Sequence, residues 1–211
     1  MTSFTEPTAM ELASLIVSKT CHDIISPVGA SSSAMEMWST ASDEGTRQVA
    51  QNLMEKSSVQ AVKKLTFVRI AYGAYGDVGG DIDLGEAQEA AVPYLTDDRT
   101  SVEWTLERLI VPKTTAKLIL GLLALTKDAL PRGGTILVSG SDLTGAAKLM
   151  IEASGPKVII PQGAPDALSR TFADGVHARN VHLYHLVKMA DAVGVEIKPE
   201  ATEEKLTLTT Q

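Results

Sequence analysis

The sequence predicts an α + α/β protein, in which an N-terminal helical hairpin that forms a four-helix bundle in a homodimer is followed by an α/β sandwich. Two patterns favour this fold class. Apolar residues recur every three or four positions over residues 9–73, whereas short β-rich runs alternate with helical stretches in the second half. The glycine-rich segment YGAYGDVGGD at residues 72–81 separates the two patterns, so we expect a hairpin domain at residues 1–76 and an α/β domain at residues 77–211.

The first helix is predicted to begin after Thr8, because Thr8 and Glu11 have the T-x-x-E spacing of a capping box. Pro27 removes one backbone donor, and we expect it to bend this helix without ending it, since helix-favouring residues continue to Met37. Apolar or small residues form a stripe that is expected to pack into the bundle core: Ala13, Val17, Cys21, Ile24 and Val28.

A second helix is predicted over residues 44–72, where apolar and small side chains again recur at helical spacing. Two antiparallel helices cannot enclose a core by themselves, because each apolar stripe covers only part of its partner. Pairing of two hairpins across a twofold axis is the commonest solution, so a homodimer is expected.

The second half predicts a mixed α/β sandwich, with helices near residues 112–130 and 178–193. Strands are expected at residues 101–106, 134–139, 147–153, 157–160, 195–198 and 205–209.

The composition limits the classes of partner. The 211 residues include 26 acidic and 19 basic side chains, and the net charge of −7 provides no overall attraction to nucleic acid or to an anionic membrane. The N-terminus lacks the pattern of a secretion signal, and the apolar run at residues 118–125 is shorter than the about 20 residues that cross a bilayer. Protein partners and a cytoplasmic location are therefore expected.

His22 is the residue that most strongly indicates chemistry. It lies more than about 100° around the first helix from the apolar stripe, so its side chain is expected to face outward. A histidine side chain titrates near neutral pH, so its neutral, nucleophilic form is abundant at pH 7. Such an imidazole accepts a phosphoryl group on a ring nitrogen and releases it again.

Three neighbours of His22 are candidate catalytic residues. Lys19, one turn earlier, is placed to neutralise charge on a transferring phosphoryl group. Asp23 is placed to orient the ring or to handle a proton, and Ser26 to hydrogen-bond the phosphoryl group or a water. A second interpretation stays open, in which an exposed histidine is only solvated and Lys19 forms an ordinary ion pair with Asp23. The expected docking surface for a visiting protein consists of Leu12, Leu15, Ile16, Ile25 and Gly29.

The segment HDIISP at residues 22–27 resembles the histidine-box signature H-[ED]-x-x-x-P of sensor-kinase dimerisation domains. Residues 117–138 likewise resemble the helix and strand that carry the N-box of a kinase ATP-binding domain. The N-box asparagines are replaced here by Gly121 and Leu125, and leucine offers Mg²⁺ no oxygen ligand. In the adenine-binding element D-x-G-x-G, Ala153 replaces the aspartate and Lys157 the second glycine. We therefore expect no ATP binding.

Over nearly its whole length the chain resembles the ChpT-type histidine phosphotransferases of alphaproteobacteria, at CHDIISPVGA, DIDLGEAQ, VEWTLE and ALPRGGTI. The resemblance implies a degenerate histidine-kinase ATPase-like sandwich beside a homodimeric bundle, with no cofactor of its own. It implies a cell-cycle phosphorelay in which His22 receives phosphate from the receiver domain of a hybrid kinase of the CckA type. His22 then passes it to response-regulator receivers of the CtrA and CpdR type, and magnesium is held by the receiver.

Two other functions stay open on the residues alone. One is an active sensor kinase with an atypical nucleotide site, and the other is a scaffold that docks receivers without carrying phosphate. A metal site is disfavoured, because His182 and His185, with His177 upstream, lack further carboxylate or cysteine ligands and are interpreted as residues of a polar helix face.

Overall fold

The computed structural model describes residues 4–74 and 79–211. Its N-terminal part is a hairpin of two long helices, α1 (Ala9–Thr40) and α2 (Glu44–Ala71). The capping box is present as predicted: the backbone N–H of Glu11 donates to the Thr8 hydroxyl at 3.3 Å, and the Thr8 N–H donates to the Glu11 carboxylate at 2.8 Å. Helix α1 continues through Pro27, as expected.

The second domain is a helix and sheet sandwich. Its helices are α3 (Leu84–Leu95), α4 (Lys113–Asp128), α5 (Ala164–Leu168) and α6 (Val181–Val193). Its strands are β1 (Asp81–Asp83), β2 (Thr100–Trp104), β3 (Ile110–Pro112), β4 (Gly134–Ser141), β5 (Lys148–Ser154), β6 (Ile197–Ala201) and β7 (Lys205–Thr210).

The main sheet has the strand order β2-β4-β5-β7-β6. Strand β2 runs parallel to β4, with Val102 opposite Ile136, and the other neighbours are antiparallel, with Ile151 opposite Leu208. Buried and exposed residues alternate along β4 and β5, so one face of the sheet packs on the helices. Strands β1 and β3 form a separate antiparallel pair beside α4.

One predicted strand is wrong. Residues 157–160 form no strand, because the N–H of Val158 donates to the carbonyl of Glu203 at 3.1 Å while that of Ile159 donates to the carbonyl of Ala129 at 3.0 Å. The segment therefore crosses between two parts of the domain, and β5 already has β4 and β7 as its neighbours. Helix α3 and the short strands β1 and β3 were not predicted from the sequence. The boundary expected between residues 76 and 77 lies outside the described residues.

The hairpin packs directly on the second domain. Helix α1 contacts α6, and α2 contacts α3 and α4. The segment before α1 adds a further contact, since the ring of Phe4 lies 5.3 Å from that of Phe172 and 6.1 Å from that of Tyr184. Next to it, Lys188 Nζ donates to the Glu6 carboxylate at 2.8 Å. The start of α1 is thus attached to α6.

The apolar stripe of α1 is not buried within one chain. Ala13, Val17, Cys21 and Val28 are exposed and Ile24 is half-buried, so one chain does not bury this stripe, and its burial in the bundle of a homodimer stays a prediction. The reason is that α2 covers the adjacent side of α1, where Pro27 and Ala34 are buried. Other large apolar side chains are exposed beside the stripe of α1 and extend it onto α2. The apolar stripe of the hairpin, as the term is used below, comprises Met10, Val17, Val28 and Met35 of α1 with Val62 and Leu65 of α2.

Candidate functional site

His22 projects from the middle of α1 into solvent. Its side chain is 88% exposed, which agrees with the outward orientation expected from helical spacing. Ser26, one turn later, and Gly29, two turns later, are also exposed. A Cβ atom added at Gly29 would meet nothing within 4 Å, so the helix surface beside the histidine is open to a partner.

The carboxylate of Asp23 lies between His22 and Lys19. Its Oδ2 accepts a hydrogen bond from Lys19 Nζ at 2.7 Å. Its Oδ1 is 3.6 Å from His22 Nδ1, which is too far for a hydrogen bond but near enough for one to form after a small rotation. The contact leaves the other ring nitrogen, Nε2, as the one that does not face Asp23.

Asp23 is held in its charged form. Partial burial by itself raises the pKa of this carboxyl, but the hydrogen bond from Lys19 and the positive charges of Lys19 and Lys64 outweigh burial and lower the pKa below its ordinary value. The histidine therefore has a fixed negative charge on one side at neutral pH.

Lys64 is a site residue that sequence reasoning missed. It lies on α2, and its Nζ donates to the backbone carbonyl of Asp23 at 3.0 Å. The contact joins residues 41 positions apart, so no local motif reveals it. The available signal is Pro27: a proline has no N–H for the carbonyl four residues earlier, so the carbonyl of Asp23 needs a partner from outside the helix.

A polar cavity of about 190 Å³ lies beside Asp23, between the hairpin and the second domain. Lys19 and Lys64 line it from the hairpin, and Asp128 and His182 from the second domain. A second cavity, of about 720 Å³, continues along the second domain and shares Lys19, Asp128 and His182 with the first. The second domain thus approaches His22 on the Lys19 side of α1.

The predicted docking residues divide into two groups. Ile25 is 70% exposed and lies one turn from His22, beside Ser26 and Gly29. Leu12, Leu15 and Ile16 were expected to be exposed, and this was wrong, since all three are half-buried and Leu12 packs against the hydrophobic core. The cause is that α1 is covered by other elements here, with α6 among the helices that it contacts.

The positions aligned with nucleotide motifs do not face a common site. Leu125 is 1% exposed in the core, and Ala153 is fully buried in the sheet. A Cβ atom on Gly121 would lie 3.0 Å from Leu186, so α6 closes over that position. Lys157 is exposed in the loop after β5.

His185 of α6 is not on a polar face, which corrects the interpretation made from the sequence, whereas His182 lines the polar cavity described above. His185 is 7% exposed, and its ring stands edge-on to Tyr72 at 5.2 Å. Burial, assisted by the charge of Lys117, lowers the pKa of His185 to about 4. Burial and the charge of Lys19 likewise lower the pKa of His182 to about 4, and the Nδ1 of His182 is buried without a hydrogen-bond partner.

Comparison with known proteins identifies related sequences. A family model described as the histidine phosphotransferase C-terminal domain matches residues 84–205. The protein phosphotransferase ChpT of Brucella abortus (strain 2308) is 33% identical over 201 residues, which cover 94% of this chain and 94% of the Brucella protein.

Solved structures share the fold. The 1.7 Å structure of a bacterial phosphotransferase superimposes with a TM-score of 0.87 at 30% identity, and the match covers 99% of this chain and 100% of that one. The histidine kinase domain of a blue-light-activated kinase from Erythrobacter litoralis matches with a TM-score of 0.50 at 12% identity, over 87% of this chain and 92% of that domain, which shows likeness of fold alone. Among the described residues, no helix has the length and apolarity that crossing a membrane requires.

Proposed function

The chain belongs to the histidine phosphotransferase family, and on that premise we propose that His22 is the residue that carries the phosphoryl group. The observation that carries this proposal is the geometry of α1, where an imidazole that is 88% exposed stands beside a charged carboxylate. The hairpin and the kinase-like sheet domain then act as a relay between two receiver domains.

The ring nitrogens of His22 have different roles in the proposed transfer. The N–H at Nδ1 turns toward Asp23 Oδ1, now 3.6 Å away, so the lone pair at Nε2 is free to attack. Nε2 forms an N–P bond while the bond between phosphorus and the receiver aspartate oxygen breaks, and the aspartate leaves as a carboxylate. The reverse step delivers the group to the next receiver, and Asp23 stabilises the positive ring in between.

Lys19 and Ser26 assist at the edges of this step. Lys19 lies one turn from His22 and is held by Asp23 at 2.7 Å, which places a positive charge near the transferring oxygens. Ser26 is exposed on the same face as His22 and is free to donate to a phosphoryl oxygen or to a water.

The receiver docks on the exposed face around His22. Ile25 supplies the apolar contact, and the lack of side chains at Gly29 permits a close approach. Because the receiver must leave after each transfer, the interface is modest, at or below about 1,600 Å².

A second copy covers the apolar stripe of the hairpin. The stripe exposes Val17, Met35 and Val62 by 60%, 61% and 63%, and paired hairpins bury such side chains in a four-helix bundle. We therefore expect a cytoplasmic homodimer with one His22 on each side.

The partners expected are the receiver of a hybrid kinase of the CckA type and regulators of the CtrA and CpdR type, in a cell-cycle phosphorelay. Magnesium is expected in the receiver only. The expected absence of autokinase activity is supported by Leu125, which stands at the position of the magnesium-binding asparagine and whose side chain is buried in the core.

The test compares three reactions of the full chain. With a phosphorylated donor receiver, the wild-type protein is expected to become labelled and to pass label to a second receiver, whereas His22→Ala binds receivers but stops the relay. A scaffold would pass the signal in both forms. Labelled ATP alone is expected to give no phosphoprotein, and label on His22 without a donor would instead establish a sensor kinase.

A further inference from the structure

We propose that Lys64 is a positioning residue for phosphotransfer, which holds the backbone of α1 next to Pro27 so that His22 keeps its place when a receiver docks. The inference rests on the proposed role of His22. It is carried by one contact, between the Lys64 ammonium and the backbone of Asp23, and by the reason why that backbone needs a partner.

Pro27 leaves the carbonyl of Asp23 without its usual donor within the helix. In a regular helix the carbonyl of Asp23 accepts from the N–H of residue 27, but proline has no N–H and its ring crowds that carbonyl. Helix α1 nevertheless continues to Thr40, and Pro27 is buried against α2. A carbonyl left without a partner at a partly buried position costs about 1–3 kcal/mol, so an external donor stabilises the helix at this point.

Lys64, on the facing helix α2, supplies a donor for this carbonyl. Its Nζ lies 3.0 Å from the Asp23 oxygen, a normal hydrogen bond with a charged donor. The two helices run in opposite directions, and Ser31 contacts Ser58 at 3.1 Å further along the hairpin. Lys64 is therefore fixed by the packing of α2, and it ties α2 to the peptide that follows His22.

The same lysine acts on Asp23 in a second way. Its positive charge helps to keep the Asp23 carboxylate ionised, while Lys19 binds that carboxylate directly. The backbone and the side chain of Asp23 are thus each held by a separate lysine, one from each helix of the hairpin. Loss of Lys64 leaves the pair between Lys19 and Asp23 but releases the backbone carbonyl of Asp23.

Loss of Lys64 is expected to change the position of His22 more than the affinity for the receiver. Misplacement of a reacting group by about 1 Å can lower a rate by as much as about a hundredfold, because attack requires close alignment. A docked receiver presses on the face that contains His22, Ile25 and Gly29, close to Pro27. Without Lys64 the backbone at Asp23 shifts, and Nε2 of His22 departs from the line of attack while the docking surface stays intact.

The first arm of the test compares Lys64→Met, which keeps the length of the side chain without a donor, with Lys64→Arg, which keeps the charge and the donor. We expect Lys64→Met to lower the single-turnover transfer rate from a phosphorylated receiver about tenfold, with receiver Kd unchanged, and Lys64→Arg to recover most of the rate. Lys56→Met, an exposed lysine on the same helix, is the matched control and is expected to transfer like the wild-type protein.

The second arm uses Pro27→Ala, which restores an N–H for the Asp23 carbonyl. In this background Lys64→Met is expected to change the rate by less than about twofold, because the carbonyl accepts from the restored N–H and Lys19 still holds the Asp23 carboxylate in its charged form. The comparison also covers the case in which Lys64→Met folds poorly, since the double variant is expected to fold.

The inference would be overturned by a wild-type rate for Lys64→Met, or by an equal loss from Lys64→Met with and without Pro27. A fall in receiver affinity without a fall in rate would likewise assign Lys64 to docking. If the wild-type chain itself fails to transfer through His22, the proposed function fails, and that outcome is separate because it appears before any lysine is changed.

Discussion

At the scale of single residues, the exposed side chain of His22 contrasts with the buried side chain of His185. His22 is solvent-exposed, and its neighbour Asp23 is kept ionised by lysines. His185 is the opposite case, because it lies in the core between the two domains, against Tyr72 of the hairpin. Protonation of the buried His185 is therefore expected to affect the stability of the fold.

The buried histidine predicts a loss of stability in mild acid. The pKa of His185 is about 4 in the folded chain, against an ordinary value of 6.5. Between these values the unfolded chain binds the proton and the folded chain does not, so stability is fully present above pH 6.5 and is lost as the pH falls toward 4. The difference in pKa corresponds to about 3 kcal/mol of folding free energy for this residue.

Urea unfolding at pH 7 and pH 4.5 measures this loss. His185→Gln is expected to reduce the difference between the two pH values, whereas His177→Gln, at an exposed position, leaves it unchanged. His182 acts in the same direction, so the variant keeps part of the dependence. An identical pH dependence for His185→Gln and the wild-type protein would contradict the assignment.

At the scale of elements, local signals in the sequence were sufficient for the hairpin. The capping box at Thr8 and the continuation of α1 through Pro27 depend on neighbouring residues, and both were found as expected. The segment at residues 157–160 has the β-branched composition of a strand, yet its N–H groups bond to two distant loops. A segment forms a strand only where a neighbouring strand is free to pair with it. That depends on tertiary contacts, which the composition does not reveal.

In the candidate site, too, contacts within one helix were predictable from the sequence and contacts between elements were not. The outward position of His22 and the pair between Lys19 and Asp23 follow from spacing along one helix. The contact of Lys64 with Asp23 and the partial burial of Leu12 depend on how α2 and α6 pack. A single sequence contains no direct record of those distances.

The segment before α1 is expected to stabilise the contact between the domains. Phe4 packs on Phe172 and Tyr184, so Phe4→Ala removes aromatic contacts from a half-buried site and lowers the free energy of unfolding by about 1–2 kcal/mol. Chemical denaturation measures the change. Met150→Ala, on the exposed side of the sheet, is the control and should have little effect. A change at Phe4 no larger than at Met150 would show that the segment contributes nothing.

At the scale of the whole molecule, the hairpin exposes an apolar stripe that a solitary chain leaves in water. Val17 and Val62, for example, are 60% and 63% exposed, on α1 and α2 respectively. Exposed apolar area of this kind marks an interface in many proteins. Dimerisation would bury the apolar stripe and leave His22, which lies on a different side of α1, accessible.

The dimer is testable by one charge on the stripe. Val17→Glu is expected to produce monomers, because a carboxylate in an apolar helical interface has no partner and is costly to bury. Sedimentation velocity measures the change in mass. Ile110→Glu, which alters an exposed apolar residue of the second domain, is expected to remain dimeric. A dimeric Val17→Glu, or a wild-type monomer at micromolar concentration, would contradict the arrangement.

The central claim is that His22 carries the phosphoryl group, and the most direct measurement locates the phosphate itself. The full chain is incubated with a phosphorylated donor receiver, and the modified residue is identified by mass spectrometry under neutral conditions that preserve phosphohistidine, with ³¹P NMR to assign the ring nitrogen. The account predicts one phosphate per chain, on Nε2 of His22. Phosphate on another residue, or an unmodified chain while the second receiver becomes phosphorylated, would contradict it.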